Sequence, residues 1–238
     1  MATGLHSMFA PLCCSAMSAA ASHWDQLHDQ PRFRPVYPNE NVVRFLIAST
    51  CHNANAVSSL RFLDIGVGAG RHTRLAIELG LASYGADISY TGLHHARQRL
   101  QGTGSPIRLV QGSMLALPFP DNSFDLALGF GVFYYGTRDQ MRLAIAEMRR
   151  VLAVRGRGFV VLRTHEDYRF GKGEELEPNT FRLSISDTNE FGTIQHFVTS
   201  HDVVTYFSQF TSINLERTET TFAAGKYKNS DWLITVEK

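Results

Sequence analysis

Between residues 59 and 158, short apolar runs alternate with amphipathic stretches, the pattern of βα units that build a mostly parallel sheet. Residues 60–65 predict a buried strand that ends at a glycine cluster. Residues 71–79 predict a helix with Leu75, Ala76 and Leu79 on one face. A second strand is predicted over 82–88, a second helix over 92–100 and a short third strand over 107–111. Residues 124–130, continuously apolar after Asp125, predict a fourth strand. Over 139–154, Met141, Ile145, Met148 and Leu152 recur at helical spacing, and Gly156 and Gly158 punctuate the turn into a fifth strand at 159–162.

The pattern then changes. Strands predicted over 181–186 and 193–199 flank the segment from Asp187 to Gly192, which reads as a β-hairpin inserted after strand 5. A helix over 201–210 turns Val203, Val204 and Phe207 inward. Strands over 213–220 and 231–236 close the chain around Ala224-Gly225-Lys226. With no helix between them they must run antiparallel. The expected fold is α/β: a doubly wound, Rossmann-like seven-stranded sheet with its last strand antiparallel, plus the inserted hairpin.

Composition bounds this picture. At 238 residues, 44% hydrophobic and 19% charged, the chain suits one large domain. Its net charge of +1 gives no electrostatic footprint for nucleic acid. No stretch approaches the roughly 18 apolar residues of a membrane span. Cys13, Cys14 and Cys51 have no framework or metal-ligand spacing, so free thiols, no metal and a reducing, cytoplasmic setting are expected. Residues 1–22 hold no Lys, Arg, Asp or Glu and lack the basic residues of a targeting signal. They are expected to form a tail outside the fold, or else a helix over the active site. The domain would then comprise residues 23–238, with an N-terminal lid at 23–58 and the insert at 166–200. The oligomeric state is left open.

The chemistry concentrates where the first strand meets the first helix. Glycines there allow a tight turn and close approach of a ligand to the backbone, and the helix start offers unpaired N–H groups. The spacing Gly66-x-Gly68-x-Gly70 differs from the GxGxxG of dinucleotide binders. Asp64, two residues earlier, would repel a pyrophosphate but can accept hydrogen bonds from an ammonium. Asp87 ends the second strand about 20 residues on, placed for ribose hydroxyls.

Leu63 to Thr73 resembles motif I of the class I S-adenosylmethionine-dependent methyltransferases, of a small-molecule type. Ala86-Asp87-Ile88-Ser89 is similar to their ribose-binding acidic loop, and Gly112-Ser113-Met114 with Leu117-Pro118-Phe119 to their adenine loop. The lead Asp121-Asn122-Ser123-Phe124-Asp125 and the closing Asp231-Trp232-Leu233-Ile234 fit the same pattern. The resemblance implies S-adenosylmethionine as cofactor. Gly66 and Gly68 would lie against its methionine portion, with Gly70 also binding the cofactor, Asp64 on its amino group and Asp87 on its ribose. Ile88 and Met114 would flank the adenine. Ser113 stands where the family often has Asp, which implies a weaker adenine contact.

Methyl transfer from a sulfonium needs a positioned nucleophile and a route for its proton. Strand ends facing the cofactor offer Tyr134, Tyr135 and His165, with His165 the first choice as base. His72 is read as helix surface or cofactor rim, and His94 and His95 as solvated helix surface. The segment carrying Trp24, Arg34 and Tyr37 could form a substrate lid, its arginines suited to an anionic acceptor. The expected activity is methyl transfer to O or N of a small molecule. An inactive S-adenosylmethionine-binding partner protein is the alternative, and a nicotinamide-dependent oxidoreductase is a more distant one.

Overall fold

The computed structural model describes residues 20–51, 57–185 and 190–238. The expectation of a tail therefore falls outside the described residues up to position 19, as do Cys13, Cys14, and positions 186–189, which hold the end of the predicted strand over 181–186 and the first part of the predicted connection from Asp187 to Gly192. Residues 20–28 form helix α1, so positions 20–22 belong to the fold.

A seven-stranded sheet organises the chain. Strands β1 (Arg61–Ile65), β2 (Ala82–Asp87), β3 (Arg108–Gln111), β4 (Phe124–Phe130) and β5 (Leu152–Arg163) pair in parallel, and β9 (Ser212–Phe222) and β10 (Tyr227–Glu237) complete the order β3-β2-β1-β4-β5-β10-β9. Strand β10 is antiparallel to both neighbours. The order reverses beside β1, so the carboxyl ends of β1 and β4 flank the crevice where such sheets bind ligands.

Helices cover both faces. On one face α2 (Glu40–Thr50) and α3 (Arg71–Glu78) bury Val42, Phe45, Leu46 and Ala76 against Phe62, Leu128 and Val161. On the other, α5 (Arg138–Val151) and α6 (Ser200–Tyr206) bury Met141, Ile145, Met148 and Val203 against Leu63, Val160 and Ile234. Helix α4 (Tyr90–Leu100) follows β2 and packs on α3, where Gly70 lies against Ala96. Thr137 starts α5 with a capping box shared with Gln140.

Two predicted boundaries are corrected. The helix expected over 139–154 ends at Val151, and Leu152 already pairs with Phe124 as the start of β5. Leu152 is buried either way, so its apolar character did not distinguish helix from strand. The insert is a three-stranded antiparallel sheet: β6 (Gly173–Glu177), β7 (Thr180–Leu183) and β8 (Ile194–His196). The unpredicted β6 is exposed and acidic, and takes its form from pairing with β7. Phe181, Leu183 and Phe197 give the insert its own small core. It is moored to the loop after β4, where His196 N–H donates to the Tyr134 carbonyl (2.9 Å) and Gly136 N–H to that of Ile194 (2.9 Å).

Candidate functional site

The turn after β1 is held by its own backbone: Gly66 and Val67 donate to the Ala86 carbonyl at 2.8 and 3.1 Å. All three glycines have positive φ, from 49° to 79°. A Cβ on Gly66 would lie 2.7 Å from the Val132 side chain, so only glycine lets the loop after β4 approach.

Asp64 is buried below this turn and accepts from the Thr73 hydroxyl at 2.8 Å. Burial pushes its pKa up to about 7, against the lowering hydrogen bond from Thr73. Arg71, at the start of α3, lies close enough to Asp64 for the two charges to act on each other. Its guanidinium sits 5.4 Å from the Phe130 ring and donates to the Tyr37 carbonyl at 3.2 Å. A group that can accept from an ammonium and one that can donate to a carboxylate thus stand at the two sides of the glycine turn, Asp64 in β1 and Arg71 at the start of α3. Sequence reasoning missed Arg71, although its position directly after the third glycine was a signal.

Asp87 is buried at the end of β2. Its Oδ2 accepts from Gly68 N–H (2.7 Å) and its Oδ1 from Ser89 N–H (2.8 Å). Burial raises its pKa, opposed by those N–H donors and by His28. Ile88 is half-buried beside it. Ser113 is buried, its hydroxyl accepting from Leu115 N–H (3.1 Å), and the partly buried Met114 packs on the main core.

Helix α1 covers this crevice. Asp25 accepts from the Ser89 hydroxyl (2.7 Å) and Thr91 N–H (2.9 Å), tying α1 to the start of α4. Trp24 meets the Tyr135 ring edge-on, centroids 4.7 Å apart. His28, one turn further, lies over Gly68 and Gly92: a Cβ on either glycine would come within 3.2 or 3.0 Å of its ring. Its Nδ1 is buried without a hydrogen-bond partner among the described residues. Burial lowers the pKa of His28 against the pull of Asp87. A ligand reaching Asp87 must therefore share this space with the ring. Sequence reasoning missed His28, although Trp24 and His28 stand four apart, on one face of a helix.

Asp25→Ala is expected to release α1. In a Trp232→Phe background Trp24 is the sole tryptophan, and its quenching by acrylamide should rise severalfold. Unchanged quenching would show that the Asp25 contacts do not hold the helix.

The other sequence candidates scatter. Arg34 lies on the flank of α4, its Nη1 2.7 Å from His95 Nε2, beside a shallow cavity of about 460 Å³ that Arg99 and Gln98 also line. His95 is thus partly covered, while His94 is exposed as expected. Tyr37 is 82% exposed and turned to solvent. His72, read as surface or rim, is instead buried: its Nε2 accepts from Asn39 N–H (3.2 Å), and its ring packs edge-on to Phe130. Burial, reinforced by Arg71, pushes it down to about 3, so it is neutral. His165 stacks on Phe170 (4.6 Å) under the inserted sheet, with its Nε2 3.3 Å from the Phe197 carbonyl. The structure brings Tyr134, Tyr135 and Trp24 together but leaves Arg34, Tyr37 and His165 apart from them.

Behind the tyrosines stands a buried ionic cluster absent from the sequence reading. Arg163, at the end of β5, donates to Glu190 (2.6 Å) and to Gln195, and covers the Tyr134 ring at 4.3 Å. Glu190 also accepts from the Tyr135 hydroxyl (2.8 Å) and pairs with Arg169 (2.5 Å). Arg169 in turn pairs with Asp167 (2.9 Å). The cluster fixes the insert to the carboxyl edge of the sheet. Among the described residues there is no group of His, Cys, Asp and Glu arranged to hold a metal ion.

This strand order, the glycine turn and the placement of Asp64 and Asp87 at the ends of neighbouring strands are similar to those of the class I S-adenosylmethionine-dependent methyltransferases, whose fold the chain has. Residues 62–156 match the family model described as a methyltransferase domain. A demethylmenaquinone methyltransferase of Thermus thermophilus is 34% identical over 100 residues, 41% of this chain and 44% of the relative. A ubiquinone/menaquinone biosynthesis C-methyltransferase of Hahella chejuensis is 40% identical over 106 residues, 42% of this chain and 41% of the relative. The matched stretches span less than half of these two relatives. Among solved structures, the 1,6-didemethyltoxoflavin-N1-methyltransferase of Burkholderia thailandensis shares the fold, with a TM-score of 0.65 at 15% identity. That match covers 100% of this chain and 93% of the other.

Proposed function

We propose that the protein transfers a methyl group from S-adenosylmethionine to a small-molecule acceptor. The observation that carries this reading is Asp64 buried beneath the glycine turn, with Arg71 near enough for its charge to act on it and Asp87 at the end of the neighbouring strand. Opposite charges at the two sides of the turn suit an α-amino acid group: Asp64 takes the ammonium and Arg71 donates to the carboxylate. Asp87 takes ribose hydroxyls, and the Nε2 edge of the His28 ring lies over Gly68 and Gly92 beside it. Ile88 and Met114 flank the adenine, with Ser113 offering it a neutral contact. The cofactor, when bound, supplies an electrophilic methyl on a sulfonium. The protein excludes water with α1 and orients the acceptor against the loop after β4.

The curated relatives from Thermus and Hahella support an acceptor of metabolite size. The name C-methyltransferase carried by the second favours carbon as acceptor atom beside the oxygen or nitrogen expected from sequence. The net charge of +1 argues against nucleic acid, and no helix among the described residues is long and apolar enough to cross a membrane. A cytoplasmic setting is supported by cysteines without framework spacing and by the free thiol of Cys51.

Calorimetry against S-adenosylhomocysteine and NAD tests the cofactor. Binding of the first and not the second is expected. Because Asp64 sits near 7, an ammonium beside it drives ionisation and releases up to about half a proton at pH 7. Buffers of different ionisation enthalpy measure that release. Binding of NAD alone would overturn the reading. Binding of S-adenosylhomocysteine without turnover on any acceptor would favour the inactive partner protein.

A further inference from the structure

One carboxylate at the carboxyl edge of the sheet stands outside the ionic cluster. Asp231 opens the inner part of β10, directly opposite Arg163 in the antiparallel register, so the two side chains share a face. That face also carries Val161, beside Phe130 of β4, and places Asp231 above the carboxyl end of the parallel strands. The Asp231 carboxylate accepts no hydrogen bond and forms no ion pair within 4 Å among the described residues, because Arg163 is turned to Glu190 and Arg169 to Glu190 and Asp167. The Tyr134 hydroxyl likewise has no hydrogen-bond partner among the described residues, and it approaches Gly131. Arg71 and Asp231 each lie near enough to Tyr134 for charge to act between them, so the methionine end of the cofactor site and Asp231 both neighbour this side chain.

We propose that Asp231 is the general base of the acceptor site, and that the acceptor is an uncharged phenol-type aromatic seated against Tyr134, Tyr135 and Trp24 with its hydroxyl on Asp231. This inference rests on the methyl-transfer reading above. The walls are aromatic: Tyr134 and Tyr135 lie 4.7 Å apart at 44°, and Trp24 closes edge-on over Tyr135. Arg163 and Arg169 already have carboxylate partners, and Arg71, the other described cation acting on Tyr134, is assigned to the cofactor carboxylate, which argues against an anionic acceptor. In the reaction the acceptor O–H bond breaks and its proton passes to an Asp231 oxygen. The electron pair left on the acceptor forms the bond to the methyl carbon, and the C–S bond breaks with its pair going to sulfur.

Burial raises the Asp231 carboxyl to about 6, with Asp167 and Glu190 adding to the rise and Arg163 and Arg169 opposing it. These groups and Tyr134 are the charged and titratable neighbours that face it. A base of this strength is ionised at neutral pH and suits a phenol far better than an aliphatic alcohol.

The test measures tritiated methyl transfer from S-adenosylmethionine to catechol and 2-naphthol, alongside S-adenosylhomocysteine calorimetry, for wild type, Asp231→Asn and Asp231→Glu. Wild-type kcat/KM should rise with pH and level off above about 6. Asp231→Asn should lower kcat by roughly a hundredfold or more, abolish that limb and leave S-adenosylhomocysteine affinity within twofold. Asp231→Glu should restore part of the rate together with the limb. An Asp231→Asn enzyme with wild-type rate and limb would overturn the base. S-adenosylhomocysteine binding with neither phenol methylated would overturn the acceptor class. No wild-type S-adenosylhomocysteine binding would instead bring down the methyl-transfer reading itself.

Discussion

Asp87→Ala is expected to weaken S-adenosylhomocysteine binding by roughly 10- to 150-fold for each charge-assisted hydrogen bond lost, at about 1.5–3 kcal/mol per bond. The carboxylate is doubly committed in the protein, with Gly68 N–H on Oδ2 and Ser89 N–H on Oδ1. Alanine therefore removes a ribose acceptor and loosens the glycine turn at the same time. Asp87→Asn separates the two effects. Its amide oxygen can still accept from one backbone N–H but offers no charge to the ribose. Comparable affinity losses in both variants, with the asparagine form keeping the wild-type Tm, would assign the effect to the ligand contact. Affinity within twofold of wild type in both would remove Asp87 from the site. His28 makes a further comparison useful, since its ring lies over Gly68 and feels the Asp87 charge.

The sequence disclosed the cofactor side of the crevice far better than the acceptor side, and the reason is distance along the chain. Asp64, Gly66, Gly68, Gly70 and Asp87 lie within a single βαβ unit, so one strand, one turn and one helix fix their relation. Arg71 belongs to the same unit, and only its charge relation to Asp64 was needed to recognise it. Tyr134, Arg163, Glu190 and Asp231 come from a loop, a strand end, the insert and the closing strand. No local periodicity announces that they meet. His72 shows the same limit at one residue, because its helix position is polar by type and becomes interior only when Asn39 of the preceding segment donates to it. The parallel strands were legible because strands covered on both faces read as apolar runs. Strand β6, with the sequence Gly-Glu-Glu-Leu-Glu, has no such run and is defined by its partner.

Glu190→Ala should be the most destabilising single change in the insert. Removing one partner of a buried ion pair costs about 3–5 kcal/mol, because the remaining charge stays desolvated. Here the stranded group is Arg163, fully enclosed at the end of β5, and Tyr135 loses its hydroxyl acceptor as well. Arg169 keeps Asp167. At roughly 2–4 °C per kcal/mol for a chain of this size, Tm should fall by about 6–20 °C. The double variant Arg163→Met with Glu190→Leu removes both charges and should recover most of that loss, since an apolar pair of similar volume is often neutral or better. The pH dependence has a definite sign. Burial opposes ionisation of Glu190, but the guanidiniums of Arg163 and Arg169 hold its carboxyl down at about 2, below the roughly 4.3 of an unfolded chain. Its contribution is therefore complete above the unfolded value and is lost as pH falls toward the folded one. Wild-type Tm should drop between about pH 4 and pH 2, and the double variant should show a shallower acid limb. Equal acid limbs, with Glu190→Ala within 2 °C of wild type, would show that the cluster does not hold the insert to the sheet.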